Sequence, residues 1–432
     1  MTMVNENSTK VMQKKLFIVL FAVLGWSIIG QGQSISKRVL FLGNSYTAVN
    51  NLPQMIADVA NSTGDTIIFD SNTPGGYTLK QHSKNESSLT KIASGDWDYV
   101  VLQEQSQLPS FPIEQVEVEV FPYARALDSI INSHNSCAET VFYMTWGRKN
   151  GDAQNCASWP PVCTYNGMDS LLNLRYRMMA ANNHAILSPV GAVWKYIITN
   201  LPSIELYQLD ESHPSVAGTY AAACCFYASL LRKDPTLITF NSTLSAIDAA
   251  NIRAAVKITV FDNLTEWHIG EYDPKADFTY SDLGSGNTAF MNQSLNATTY
   301  LWEFGDGDTS ELQNPTHSFT EDGNYIVKLF ANSCGVMDST EQIVPILLSG
   351  IQEPNTYRIS IYPNPVSTSF TLLTQAPLKS SLYRVFDNKG RIIMTGKITS
   401  EQTIIDLNDF PAGVYIIKTD DNLKHTVKVM RE

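Results

Sequence analysis

Ser45, Asp210 and His213 are the residues whose types and spacing could do chemistry together. A serine hydroxyl is a weak nucleophile until a base takes its proton. That base works best when an acceptor fixes its tautomer. In "LDESHPS", residues 209–215, Asp210 and His213 are three apart. On one turn of irregular backbone the carboxylate can reach one ring nitrogen while the other faces a serine. Taken alone, Asp-x-x-His is a common pattern. Ser45 stands in "VLFLGNSYTAVNNLP", residues 39–53, where an apolar run ends in Gly43-Asn44-Ser45. Acyl transfer at Ser45 would also need hydrogen-bond donors for the oxyanion. The Ser45 N–H, at a helix start, is one candidate. Gly76 in "TPGGYTL" is a second, with no Cβ to block its N–H. A side-chain amide from "VVLQEQS" is a third, and Gln103 and Gln105 both qualify. The bland alternatives are a structural turn at Ser45, a plain loop at Gly75-Gly76 and edge polar residues at Gln103 and Gln105.

The elements that must position these groups alternate between strands and helices from residue 36 to about 268. "KRVLFLG", "DTIIFD", "WDYVVLQ", "TVFYMTWG" and "HAILSPV" read as strands. Asn51 is a plausible cap for a helix with Pro53 in its first turn. Val116, Val120, Phe121, Ala124, Leu127 and Ile131 recur at helical spacing and predict one helix over 113–133. "SVAGTYAAACCFYASLL" is a mostly apolar, buried helix. Such alternation gives a parallel sheet covered on both faces, with ligands at the carboxyl ends of its strands. Strands one, two and three each end in a candidate catalytic element. The Asp210/His213 pair follows the last strand and emerges at the same edge.

These residues resemble the SGNH, or GDSL-like, hydrolase superfamily. Gly43-Asn44-Ser45 matches its first block, Gly76 its second, and Asp210-Glu211-Ser212-His213-Pro214 its last. The resemblance implies a flavodoxin-like three-layer α/β/α fold, a Ser45 nucleophile, a His213 base and Asp210 as its orienting partner. Two departures stand out. Asn44 replaces the usual Asp, a variant found in carbohydrate-directed members, and so joins the substrate-binding candidates. The Gly-x-Asn-Asp third block is absent, and "LQEQS" stands in its place; Gln103 or Gln105 would then supply the missing amide. Trp146 and Trp159 could stack on a sugar ring or serve as core and loop anchors. His82, His134 and His184 read as surface or boundary residues.

The chain has 432 residues, 44% hydrophobic and 17% charged, which is globular composition and room for several domains. A net charge of -12 and no basic stripe argue against a nucleic-acid partner. Lys14-Lys15 followed by the apolar residues 16–29 read as a signal peptide, cut after Gly32, with Met12 as a possible true start. Export permits disulfides, and Cys156 and Cys163 bracket a short loop that a bridge would stiffen. Adjacent Cys224 and Cys225 diverge on a helix and are expected to be buried or paired elsewhere. No cysteine or histidine spacing suggests a metal, and the chemistry requires no cofactor.

From about residue 270 the runs become short and alternating, as in small β-sandwiches. Trp302, Phe304-Gly305-Asp306-Gly307, Asn314-Pro315, His317 and Gly323-Asn324-Tyr325 resemble a PKD module over 274–347. There Asp306 and Asp308 read as turn residues. Residues 348–357 read as a linker. "ISIYPNPVSTSFTL", "VFDNKGRII" and "FPAGVYIIK" resemble the C-terminal sorting domain of type IX secretion over 358–432. That resemblance implies the secretion machinery as a partner and a secreted or cell-surface location. The expected organisation is a leader over 1–32, a hydrolase domain over 33–270 and the two all-β domains. The expected activity is ester hydrolysis on an acylated small molecule or, more specifically, O-acetylated polysaccharide. A non-catalytic glycan-binding or adhesion protein, or a lipase or thioesterase of the same fold, are the alternatives.

Overall fold

The computed structural model describes residues 34–348, 359–374, 381–420 and 426–432. The expected leader over 1–32 and most of the expected linker lie outside the described residues. The chain divides into two units. Of the described residues, those up to 275 with 296–298 and 332–337 form the first, and the others form the second.

Five strands make the sheet of the first unit: β1 (Ser36–Leu42), β2 (Thr66–Asn72), β3 (Tyr99–Leu102), β4 (Glu139–Tyr143) and β5 (Ile186–Ser188). Their order is β2-β1-β3-β4-β5, and all pairs are parallel. The chain steps from β1 out to β2, then crosses back to β3 on the other side of β1. A doubly wound sheet of this order opens its ligand crevice at that reversal, at the carboxyl ends of β1 and β3. Val39 to Leu42 and Val100 to Leu102 are almost wholly buried, as strands covered on both faces require.

Ten helices in the first unit matter to the packing or the site. They are α1 (Ser45–Ala48), α2 (Leu52–Asn61), α3 (Leu79–His82), α4 (Glu86–Ala93), α5 (Ile113–Glu119), α6 (Phe121–His134), α7 (Tyr165–Asn182), α8 (Val190–Asn200), α9 (Val216–Leu231) and α10 (Ala246–Thr259). The single helix expected over 113–133 is two. Pro122 lacks the N–H that would continue the ladder, and Val120 leaves helical geometry at φ -120° and ψ -63°. Its apolar stripe still holds: Val116, Val120, Ala124, Leu127 and Ile131 are all buried. Asn51 precedes α2 as expected, but in a left-handed conformation and without a side-chain capping bond. Helix α8 stands between β5 and the Asp210 loop, where the sequence reading has none. Helix α9 is buried from Ala217 to Leu231, apolar all round as a helix enclosed by neighbours must be.

Cys156 pairs with Cys163, and Cys137 with Cys334; Cys224 and Cys225 are free and buried. Among the described residues, no helix is long and apolar enough to cross a membrane.

The second unit is antiparallel β. Strands β6 (Phe278–Gly284), β7 (Asn287–Asn292), β8 (Thr299–Glu303), β9 (Thr309–Ser310), β10 (Thr316–Ser318), β11 (Gly323–Ser333) and β12 (Val336–Ile346) form sheets ordered β10-β7-β6 and β12-β11-β8-β9. Phe278, Phe290, Trp302, Phe304, Val327 and Leu329 fill their core, following the period-two pattern of the sequence. Toward the C-terminus, seven further strands form a three-stranded and a four-stranded sheet around Phe370, Leu372, Val385, Ile405 and Ile417.

Candidate active site

Gly43 closes β1, and its side-chain position is filled from both directions. A Cβ there would stand 2.5 Å from Thr47 Oγ1 and 2.7 Å from Gln103 Oε1. A glycine at this point therefore answers to close packing at the strand end, not to a loose turn. Asn44 then caps α1: its Oδ1 accepts from the Tyr46 N–H at 3.1 Å. Ser45 is the first residue of α1, so its own N–H has no acceptor within the helix and points out of the helix start.

The Asp210 loop is built to present its histidine. Tyr207 and Pro214 form an antiparallel bridge, and Gln208 N–H donates to His213 O at 2.8 Å. Between them the chain turns through Glu211 in the left-handed region, φ +59°. Asp210 Oδ1 accepts from the N–H of Ser212 at 3.1 Å and of His213 at 3.0 Å. Asp210 Oδ2 lies 2.5 Å from His213 Nδ1, and His213 Nε2 lies 2.8 Å from Ser45 Oγ. The three-residue spacing is thus an Asx turn that leaves one carboxylate oxygen free for the imidazole. This network fixes the tautomer: Nδ1–H donates to Asp210, and Nε2 accepts the Ser45 hydroxyl proton. Partial burial works to raise the Asp210 carboxyl, but the His213 ring and the two backbone N–H groups hold it below its ordinary value.

His213 is steadied by residues that pattern reading passes over. Tyr46 lies edge-on to its ring at 5.4 Å and bonds Ser212 Oγ through its hydroxyl at 2.7 Å. Trp146 stacks on Tyr46 at 4.8 Å, stacks on Trp194 at 3.7 Å, and donates Nε1–H to Ser212 O at 3.1 Å. Ser212, one residue before the base, is therefore gripped by two members of an aromatic column. Gly218 of α9 lets the next helix close on that column, since a Cβ would meet Leu206 O and the Trp194 ring. The available signal was an aromatic residue directly after the nucleophile, paired with a tryptophan at the end of β4.

Several expected roles change. Trp146 is wholly buried in this column, so it is a core member and cannot stack on a sugar. Trp159 is half-buried, donates to Ser110 O at 2.9 Å and anchors the Cys156–Cys163 loop. Asn44 is buried; its Nδ2 donates to Tyr77 O at 2.9 Å, which makes it a tie between loops and not a contact for substrate. Gln103 is buried too. Its Oε1 accepts from Asn44 N–H at 2.9 Å and Thr47 Oγ1 at 3.0 Å, while Nε2 donates to Glu104 O at 2.5 Å. Its amide is directed inward, because the glycine at 43 opens space that this side chain fills. Gln105 is half-buried, with Nε2 3.1 Å from Gln107 Oε1. Gly76 is exposed at φ +72° with open space around it.

His82 is not a surface residue. It is fully buried, with Nε2 2.9 Å from Gly43 O and Nδ1 2.8 Å from Ser88 Oγ, so it holds the carbonyl two residues before the nucleophile. Burial lowers its pKa, against the pull of the Gly43 carbonyl. His134 and His184 are exposed. Among the described residues, Asp306, Asp308 and His317 bring ligating atoms within 4.8 Å of one another. Asp306 is already paired with His317 at 2.6 Å, in an exposed turn of the second unit.

The comparisons with known proteins divide along the same lines. The PKD domain family model matches residues 279–345, and the secretion system C-terminal sorting domain model matches residues 360–430. Collagenase ColA of Bacillus cereus is 48% identical over 44 residues, 10% of this chain; the match spans 5% of that protein's length. A DUF4886 family protein of Bacteroides uniformis covers 54% of this chain and 99% of its own, at 18% identity and TM-score 0.47. A protein of Slackia heliotrinireducens assigned as an SGNH hydrolase covers 45% and 99%, at 26% identity and TM-score 0.37. A GDSL-like lipase structure from Parabacteroides merdae covers 45% and 96%, at 13% identity and TM-score 0.34. The sorting domain directs a chain through type IX secretion to the cell surface or beyond. The chain thus runs from a parallel α/β/α domain into a segment that matches the PKD domain model and a tail that matches the sorting domain model.

Proposed function

We propose that the first unit is a secreted serine esterase. The observation that carries this reading is the unbroken line from Asp210 Oδ2 through His213 to Ser45 Oγ, with both ring nitrogens engaged. Ser45 Oγ attacks the ester carbonyl carbon as His213 Nε2 takes its proton, and Asp210 stabilises the imidazolium. The tetrahedral oxyanion faces the N–H of Ser45 and of Gly76, with the Gln105 amide in place of Gln103 as the third donor. Collapse expels the alcohol, which takes the proton back from His213. Water, deprotonated by His213, then cleaves the acyl-enzyme and frees the acid and Ser45. No metal or organic cofactor enters these steps.

The substrate we assign is O-acetylated polysaccharide. Support comes from the sorting-tail match, which fits work on polymers outside the cell, and from the open setting of the dyad. The Asp210 side chain is 48% exposed and that of His213 30%. A polymer can lie across such a surface, whereas a long acyl chain needs an enclosed apolar channel.

One observation favours a second reading. The inward amide of Gln103 leaves the oxyanion face short of a firmly placed third donor, as in a non-catalytic glycan-binding domain. Acetate release from acetylated xylan and from a small acetyl ester separates the two. The full chain should release acetate from both, and Ser45→Ala and His213→Ala should abolish it. A folded wild type as inert as both variants, yet retained by the glycan, would establish the second reading instead.

A further inference from the structure

Directly behind the proposed oxyanion face sits a carboxyl group that these chemical steps do not use. Glu104 follows Gln103 at the end of β3 and has no solvent exposure. Acidic side chains are seldom buried without a cation, yet the hydrogen bonds to the Glu104 carboxyl among the described residues come from backbone N–H groups. Its partners are backbone groups. Leu79 N–H lies 3.2 Å from Oε1 and 3.2 Å from Oε2, and Gln105 N–H lies 2.6 Å from Oε1. Its own N–H donates to Tyr176 Oη of α7 at 3.3 Å. Its carbonyl accepts from Gln103 Nε2 at 2.5 Å and from Asn44 Nδ2 at 3.5 Å.

Through these contacts one residue reaches the loops after β1, β2 and β3. The loop after β2 most needs such an anchor. Gly75 and Gly76 are exposed, and a Cβ on either would meet open space, so this stretch has no side-chain packing of its own and depends on the residues that follow it. Three residues on, Leu79 is the first residue of α3 and is held by Glu104. On the other side, Gln105 is turned by the same carboxyl. Asn44, next to Ser45, completes the set from β1.

We propose that Glu104 is a positioning residue for acyl transfer at Ser45, its buried carboxyl clamping the Gly76 and Gln105 loops together so that their donors face one point. This proposal rests on the esterase reading above. It carries a consequence for pH. Burial pushes the carboxyl up to about 8, against the N–H of Gln105 and Leu79 and with a further push from the Glu119 carboxylate of α5. The other titratable groups facing this region are the Tyr176 hydroxyl of α7, which burial also raises, and His82 of α3, which is turned to Gly43 O and Ser88. At neutral pH the clamp is therefore mainly uncharged. On alkaline ionisation a negative charge appears behind donors that must stabilise another negative charge, and the two oppose each other.

The test uses the full chain as wild type, Glu104→Ala and Glu104→Gln, with folding of each checked by circular dichroism. Amide hydrogen exchange is read over residues 76–79 and 105–108. Glu104→Ala should speed exchange in both segments by about tenfold or more, as loss of a shared anchor predicts. For wild type and Glu104→Gln, kcat and KM for a small acetyl ester are then read from pH 6 to 10. Wild-type kcat should fall on the alkaline side with a midpoint near 8, with KM nearly constant. Glu104→Gln, which cannot ionise, should lose that limb. Unchanged exchange in Glu104→Ala, or an alkaline limb retained in Glu104→Gln, would overturn the proposal. Should Glu104→Ala not fold, the pH profile of Glu104→Gln decides. A wild type inert toward every ester would overturn the esterase reading, and the exchange measurement would still decide whether the clamp exists.

Discussion

Replacing Glu104 by glutamine should make the protein relatively more stable as pH rises. In the folded chain the Glu104 carboxyl ionises at about 8, against an ordinary 4.5. The folded state thus holds the proton more tightly than the unfolded state. Between those two values unfolding releases a proton, so stability falls with rising pH by about 1.4 kcal/mol per unit. At pH 5 the penalty for ionising the group is under roughly 1 kcal/mol, and at pH 9 it is close to 5 kcal/mol. Glutamine has no such penalty at any pH. It keeps an oxygen for the N–H of Gln105 and Leu79 but turns an NH2 toward a site built for oxygen, a pH-independent loss of about 1–2 kcal/mol. The difference between variant and wild type should therefore move by roughly 4 kcal/mol in favour of glutamine between pH 5 and pH 9, whatever that fixed offset. Urea unfolding of the full chain at pH 5, 7 and 9 measures it. Tryptophan fluorescence is a suitable probe because Trp97, Trp146, Trp194 and Trp267 are buried in the first unit. A difference that stays constant within 1 kcal/mol across that range would refute the burial argument for Glu104.

Three further outcomes test the rest of the site. Asp210→Asn should lower kcat by about 10²–10⁴-fold on any ester the wild type cleaves, with little change in KM, because the amide can stabilise the wrong His213 tautomer; steady-state kinetics check it. Tyr46→Phe keeps the stack on Trp146 but removes the bond to Ser212 Oγ, so kcat should drop about three- to tenfold while the melting temperature moves by only a few degrees. Cys156→Ser with Cys163→Ser opens a loop with a sequence separation of 7 and should cost about 2–3 kcal/mol in urea unfolding, since the bridge no longer restricts the unfolded chain.

What the sequence disclosed and what it withheld differ in physical kind. The strand–helix alternation, the period-two strands after residue 270 and the Asp210–His213 spacing are local patterns. Each follows from backbone periodicity or from one Asx turn, so a linear reading can find them. The glycine at 43 is visible too, but its reason is not. It stands there because Gln103, sixty residues on, pushes an amide oxygen into the space a Cβ would take. The same fact removes Gln103 from the outward oxyanion donors. Sequence pattern does not carry a side-chain direction that is set by a neighbour far along the chain. Trp146 faces Tyr46 and Trp194, not a sugar. His82 faces the Gly43 carbonyl, not solvent.

The residues whose supporting roles the sequence did not disclose share one feature: they act on the chemistry through another group. Tyr46 and Trp146 hold Ser212, which carries His213; His82 holds Gly43, which precedes the nucleophile; Gln103 and Glu104 hold Asn44, Leu79 and Gln105. None would touch an ester. Each is buried and polar or aromatic; Trp146, His82, Gln103 and Glu104 bond backbone groups of the loops around the site, and Tyr46 bonds the Ser212 hydroxyl. Such bonds fix loop geometry more firmly than side-chain pairs can, because the backbone group has no rotamer to escape into. A parallel sheet supplies the rigid strand ends, but the direction of an N–H in the following loop must be set locally. In this chain that work falls to buried groups one layer beneath the surface. Mutations there should alter kcat while leaving the exposed face of the site chemically unchanged.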